Sequence, residues 1–140
     1  MKSLVDYINE GVSKGLTDIS DIRKYIKTNH KNTKITVEKD GSNNCYYIDY
    51  KNQNNNVIYS IYYNNNDNGM YIMFDKKNTT DDIKDNMYEF LKNNNLDCEF
   101  YNQPYETGKN DGIEFSSNGI NMDLYELIDL LCEFYETVVM

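Results

Sequence analysis

The sequence has no tryptophan, one proline and one histidine. That histidine, His30, sits between Asn29 and Lys31 with no serine or cysteine beside it in a nucleophile pattern, so imidazole acid–base chemistry has no visible setting. The serines lie in neither a nucleophile elbow nor a glycine-rich phosphate loop, which leaves acyl and phosphoryl transfer without machinery. Cysteine is scarce as well: Cys45, Cys98 and Cys132 are odd in number, widely spaced and embedded in apolar patterns. They read as free buried thiols of a reducing compartment rather than as a disulfide framework or a metal set.

Positive charge is also in short supply. Lysine and arginine number 14 against 23 aspartates and glutamates, a net charge of −9. The resulting field repels phosphate, which argues against direct binding to nucleic acid or an anionic membrane. The densest cationic stretch, Arg23 to Lys34, is diluted by asparagine and threonine. No apolar run approaches the roughly 18 residues of a bilayer span. The first residues also lack the apolar core of a signal peptide, so the expected location is cytoplasmic. No cofactor or metal is expected. The stretch from Asn64 to Asp75 has calcium-loop spacing, but it offers mostly neutral amides and ends in aspartate rather than a bidentate glutamate. A hairpin turn at Asp67, Asn68 and Gly69 accounts for the same residues.

What the chain does have is tyrosine and asparagine. Its 140 residues suit a single domain. Fourteen tyrosines bring the aromatic share to 14%, and large rings compensate for a modest apolar fraction. Asparagine is about one residue in six, clustered at 54–56, 64–66 and 93–95. Such runs mark turns, because asparagine tolerates the left-handed region and bonds its own backbone.

Periodicity sets the order of elements. Leu4, Tyr7, Ile8 and Val12 recur at helical spacing, and Ile19, Ile22, Tyr25 and Ile26 form a second stripe behind Thr17 or Asp18 as caps. The period then changes to two, predicting strands at about 33–39, 45–51, 56–63 and 69–75, separated by Asp40-Gly41, Asn52–Asn56 and Asp67–Gly69. A helix follows Thr79 or Thr80, with Ile83, Met87, Phe90 and Leu91 on one face. Strands at about 96–102 and 112–117 flank a loop over 103–111. The last helix is marked by capping-box spacing at Asp123 and Glu126 and by a stripe of Leu124, Leu127, Ile128, Leu131, Tyr135 and Val138. The reading is an α+β domain with an antiparallel sheet of five or six strands, helices packed on one face, and the order α(α)-ββββ-α-ββ-α.

Two surfaces are candidates for binding. Opposite the apolar stripe of the last helix lie Asp123, Glu126, Asp129, Glu133 and Glu136, an acidic ridge that is either a solvated face or a dock for a basic partner. In the meander, Tyr46 and Tyr50 share one face and Tyr59 and Tyr63 share one face, while Tyr47, Tyr62 and Tyr71 alternate to the other. One side is core and the other is a flat aromatic surface of the kind enriched at protein interfaces. The candidate partner-binding residues are Tyr46, Tyr50, Tyr59, Tyr63, Glu126, Asp129, Glu133 and Glu136.

The stretches Asp40-Gly41, Cys45–Tyr50, Val57–Tyr63, the helix from Asp81, Gly112–Phe115 and the closing helix Leu124–Tyr135 follow one another in an order that resembles the type III secretion chaperones and their YbjN-type relatives. The resemblance implies a small, acidic, non-catalytic protein, often a homodimer, that takes an extended segment of a client on its sheet. Met1 to Glu10, ending in Ile8-Asn9-Glu10, resembles the capsid-targeting peptide of large tailed phages, where Ile-x-Glu marks protease cleavage; that likeness implies a phage virion-associated protein. Gly15 to Ile22 resembles a helix-turn-helix junction, but a strand pattern follows where a recognition helix belongs. The expectation is a chaperone-like or inhibitor-like adaptor, phage-encoded on the second resemblance, whose partner is a protein that is basic or presents an extended segment. The alternative is an anti-defence protein, such as an anti-CRISPR, that mimics phosphate before a nucleic-acid-binding protein.

Overall fold

In the computed structural model, residues 18–41, 43–102, 111–115 and 122–139 are described. The expected helix over Leu4–Val12, the loop over 103–111 up to residue 110, and the last two residues of the strand expected at 112–117 lie outside them. The described chain runs α1 (Ile19–Asn29), β1 (Ile35–Lys39), β2 (Cys45–Lys51), β3 (Val57–Asn64), β4 (Gly69–Phe74), α2 (Asp81–Asn93), β5 (Cys98–Tyr101), β6 (Gly112–Phe115) and α3 (Leu124–Phe134), which ends in a π-helical turn, Tyr135–Val139. All strand pairs are antiparallel, and the sheet order is β1-β2-β3-β4-β6-β5. The predicted α+β class, antiparallel sheet and element order are therefore present, with six strands.

Local chemistry explains the boundaries. Asp18 accepts from Ser20 N (3.0 Å) at the start of α1, and Thr80 accepts from Ile83 N (3.2 Å) at the start of α2. At α3 the capping box closes both ways: Glu126 N donates to Asp123 Oδ1 (2.8 Å), and Asp123 N donates to Glu126 Oε1 (3.2 Å). Each cap satisfies amides that the first helical turn leaves without partners. The asparagine runs turn the chain as expected. Asn55, Asn68 and Asn95 adopt φ of 65°, 60° and 64°, and Asn52 Oδ1 accepts from both Asn54 N and Asn56 N. Asp75, the last position of the calcium-like spacing, takes part in another turn: its Oδ2 accepts from Lys77 N, Asn78 N and Asn78 Nδ2 at 2.8–3.0 Å.

The core lies on one side of the sheet. Strand register aligns Val37, Ile48, Ile61, Ile72, Ile113 and Phe100 in one row across all six strands. On the same face lie the rows Tyr46–Tyr63–Met70 and Tyr50–Tyr59–Phe74. Ile22 and Ile26 of α1, Met87 and Leu91 of α2, and Leu124, Leu127, Ile128 and Leu131 of α3 close over this side. The three thiols are free and buried, as their apolar settings predicted.

Three buried phenols fasten α3 to the sheet. Tyr50 Oη donates to Ile128 O (2.8 Å), Tyr59 Oη to Leu131 O (3.0 Å), and Tyr135 Oη reaches back to Lys51 O (2.5 Å). The Tyr50 and Tyr59 rings stack at 4.8 Å, and Phe134 meets Tyr59 edge-on at 6.0 Å. Tyrosine suits these places because a buried hydroxyl needs a partner and the helix carbonyls supply one.

Candidate functional site

The burial of these phenols corrects one expectation. Tyr46, Tyr50, Tyr59 and Tyr63, read as a contact surface, are core residues, exposed by 6%, 0%, 0% and 3%. Both faces of the meander alternate tyrosine at the same period, so the sequence pattern alone does not select the inner one. The helices do, by packing on the face that also carries Ile48 and Ile61.

The opposite face holds the other phenols. Register places Glu38, Tyr47, Tyr62, Tyr71 and Glu114 in one row, and Thr36, Asp49, Ser60, Met73, Gly112 and Tyr101 in the next. None of the described helices packs its apolar stripe on these rows. Tyr47 meets Tyr62 edge-on at 4.9 Å, Tyr62 lies 5.1 Å from Tyr71, and Tyr71 meets Tyr101 at 5.6 Å and 88°. The result is a continuous half-buried ladder of four rings crossing from β2 to β5.

Gly112 is what lets the ladder cross β6. A Cβ at that position would run into the Tyr101 ring and the Ile72 carbonyl oxygen. Without one, the Tyr101 ring lies over the glycine and reaches Tyr71. Alternation in the sequence predicts Tyr47, Tyr62 and Tyr71 off the Tyr46 and Tyr50 face; Tyr101 is a fourth ring that alternation does not reveal. The signal was Gly112 directly opposite it, since a strand glycine marks close approach by a neighbour.

Carboxylates border the rings. Tyr62 Oη donates to Asp40 Oδ2 (2.7 Å), and Ser60 Oγ donates to Asp49 Oδ1 (2.5 Å). Glu38 and Glu114, at the two ends of the tyrosine row, are exposed. Contact with the Cys45 thiol, and then the bond to Asp40, hold the Tyr62 phenol well above its usual range; burial raises Tyr47 and Tyr71. The phenols therefore stay neutral donors at physiological pH, and the charge of the surface comes from its carboxylates. Burial also raises the Asp49 carboxyl, opposed by its bond from Ser60. Beside this patch a cleft of about 360 Å³ opens between Tyr47, Ser60, Met73 and Asp111, with Lys76 and Lys77 also lining it. Thr36 Oγ1, in the same row as Asp49, is buried with no hydrogen-bond partner among the described residues.

The acidic ridge is exposed at Asp123, Glu126, Asp129, Glu133 and Glu136, but it is not uniform. Asp123 and Glu126 are joined in the capping box. Asp129 accepts from Tyr25 Oη (2.7 and 2.9 Å) and meets His30 Nε2 at 2.6 Å, tying α3 to the end of α1. His30 thus has a structural partner, which its sequence neighbours did not reveal. Among the described residues, no group of three or more histidines, cysteines or acids is placed to hold a metal ion, and no helix is long and apolar enough to cross a membrane.

Comparison of the chain with family models, curated proteins and solved structures gives no match, so the likeness to secretion chaperones rests on element order and pattern alone.

Proposed function

We propose that the protein is a non-catalytic binding module, a chaperone-like or inhibitor-like adaptor that takes a basic protein segment on the open face of its sheet. The observation that carries this reading is the continuous Tyr47–Tyr62–Tyr71–Tyr101 ladder bordered by Glu38, Asp40, Asp49 and Glu114. Tyrosine rings give a flat, stiff contact area that costs little side-chain entropy to order, and they attract arginine or lysine through their π faces. The flanking carboxylates select the same partners and repel acidic ones. An extended segment matches the shape, and the cleft beside Met73 offers a seat for one of its uncharged side chains, since Lys76 and Lys77 also line it.

A second reading keeps the α3 ridge as a phosphate mimic, the anti-defence alternative. Glu133 and Glu136 favour it, being exposed and outside the capping box. Asp129, occupied by Tyr25 and His30, weakens it. Salt separates the two. Binding led by a ridge of exposed charge weakens steeply between about 50 and 500 mM salt, whereas binding led by the rings, with carboxylates only at their border, weakens less and keeps an apolar contribution that salt does not screen.

The experiment is affinity capture from the native cell extract with three baits, read by mass spectrometry: the wild type, Tyr62→Ala with Tyr71→Ala, and Glu133→Lys. A basic partner lost from the tyrosine variant and kept by Glu133→Lys is the expected result. The opposite pattern transfers the function to the ridge and overturns the sheet-face reading.

A further inference from the structure

The chain carries 23 acidic side chains, yet one groove is walled by cations. It runs between α1 and the edge strand β1, encloses about 540 Å³, and is lined by Ile26, Ile35 and Val37 with Arg23, Lys27 and Lys31. His30, Thr33, Thr36 and Glu38 complete it. The volume is within the usual range for a small-molecule site. Because α1 and β1 are joined by the short turn 30–34, they run in opposite directions and give the groove two unlike ends. Lys27 and Lys31 stand at the turn end, and Glu38 stands at the other.

β1 is an edge strand, and an edge strand ordinarily offers its free backbone groups to an added strand. Lys51 N donates to Lys34 O and Asp40 N to Cys45 O, so by antiparallel alternation Thr36 and Glu38 bond to β2 while Ile35 and Val37 turn their backbone groups outward. Arg23 covers that exposed backbone. Its Nε and Nη2 both donate to Val37 O, at 3.2 and 2.6 Å. An added strand would have to displace this fork, which is how a charged residue blunts an edge. The space left beside it is a slot with an apolar floor and a cationic head.

We propose that this groove binds an amphiphilic carboxylate, with the carboxylate between Lys27 and Lys31 and the hydrocarbon along Ile26, Ile35, Val37 and the aliphatic stem of Arg23. Charge complementarity selects the head. Lys27 and Lys31 are in no salt bridge among the described residues, whereas His30 Nε2 is already engaged by Asp129 Oδ1 at 2.6 Å. Glu38 at the far end repels a second carboxylate and fixes the direction of the chain. Long basic side chains suit such a slot because their methylene stems extend its apolar walls.

The test is calorimetric titration of the full chain with dodecanoate below its micelle concentration, alongside dodecylammonium, 1-dodecanol and acetate. Saturable one-site binding of dodecanoate is expected, at least about tenfold tighter than the other three, because neither the head nor the tail suffices alone. Amide shifts should fall on residues 23–38. Lys27→Gln with Lys31→Gln should weaken dodecanoate by about tenfold or more with the fold retained by circular dichroism, since both side chains are exposed and neither gains a charge opposed to the end of α1. Ile35→Asp is a second variant: it sets a carboxylate on the apolar floor and should also weaken dodecanoate by about tenfold or more. Equal binding of dodecylammonium, indifference to the lysine variants, or shifts elsewhere would each overturn the proposal. So would tighter binding of a capped alternating Glu-Val hexapeptide that protects the β1 amides, which would make the groove a strand-addition site.

Discussion

Tyr59 gives the most direct measure of which face of the sheet is the core. It is fully buried, stacks on Tyr50 at 4.8 Å, meets Phe134 at 6.0 Å and donates to Leu131 O at 3.0 Å. Tyr59→Phe removes only the hydroxyl. Leu131 O also accepts from Tyr135 N within the helix, so it is not left bare, and the loss should be about 0.5–1.5 kcal/mol. Tyr59→Ala removes the ring and opens a cavity between the sheet and α3, so it should cost about 3–5 kcal/mol, a large share of the 5–15 kcal/mol typical of a domain. Tyr62→Ala, at the neighbouring half-buried position across the sheet plane, should cost clearly less than Tyr59→Ala. Urea unfolding followed by far-ultraviolet circular dichroism measures all three, with the midpoint shift read at constant slope. Equal losses at positions 59 and 62 would refute the assignment of faces. So would a Tyr59→Ala variant within about 1 kcal/mol of wild type.

Other expectations follow from single residues. Leu127→Ala, fully buried in α3, should destabilise by about 2–5 kcal/mol, whereas Glu133→Lys on the exposed side should stay within about 0.5 kcal/mol in the same melts. Cys132 has its thiol pushed up to about 12, chiefly by burial. It should resist iodoacetamide at pH 8 until the protein unfolds, and stability should fall as pH rises above the ordinary thiol range, because the unfolded state releases that proton first. Asp49 has its carboxyl raised by burial, so the folded state favours its protonated form. Asp49→Asn should leave stability equal or higher at pH 7 and lose any advantage as the pH falls below the folded pKa, which pH-resolved urea melts will show. Gly112→Ala should destabilise and also separate the Tyr71 and Tyr101 rings, visible as loss of their cross-peaks by nuclear magnetic resonance.

How much of this was legible in the sequence differs between elements. Helix caps and turns are local, so Asp18, Thr80, the Asp123–Glu126 box and the left-handed asparagines were readable from neighbours a few residues apart. Alternation likewise assigned Tyr46 and Tyr50 to one face and Tyr47 to the other. It does not say which face the helices choose, because that depends on contacts such as Tyr50 with Ile128, 78 residues away. The groove beside β1 was hidden for the same reason. The stretch Arg23 to Lys34 looks dilute as a string, but folding a helix back against its following strand gathers Arg23, Lys27 and Lys31 along one slot.

The phenol–carbonyl bonds between the sheet and α3 have a mechanical consequence. Tyr50 and Tyr59 engage carbonyls three residues apart on the helix, Ile128 and Leu131, and they sit on adjacent strands directly opposite one another. Two anchors at fixed axial positions act as dowels: a slide of the helix by one residue, about 1.5 Å, misaligns both at once. The residues next to them in β2 and β3, Asp49 and Ser60, belong to the open face. A load that flattens or twists the open face therefore turns the two dowels against each other, and the helix must bend, shift as one piece or hold the sheet to its resting curvature.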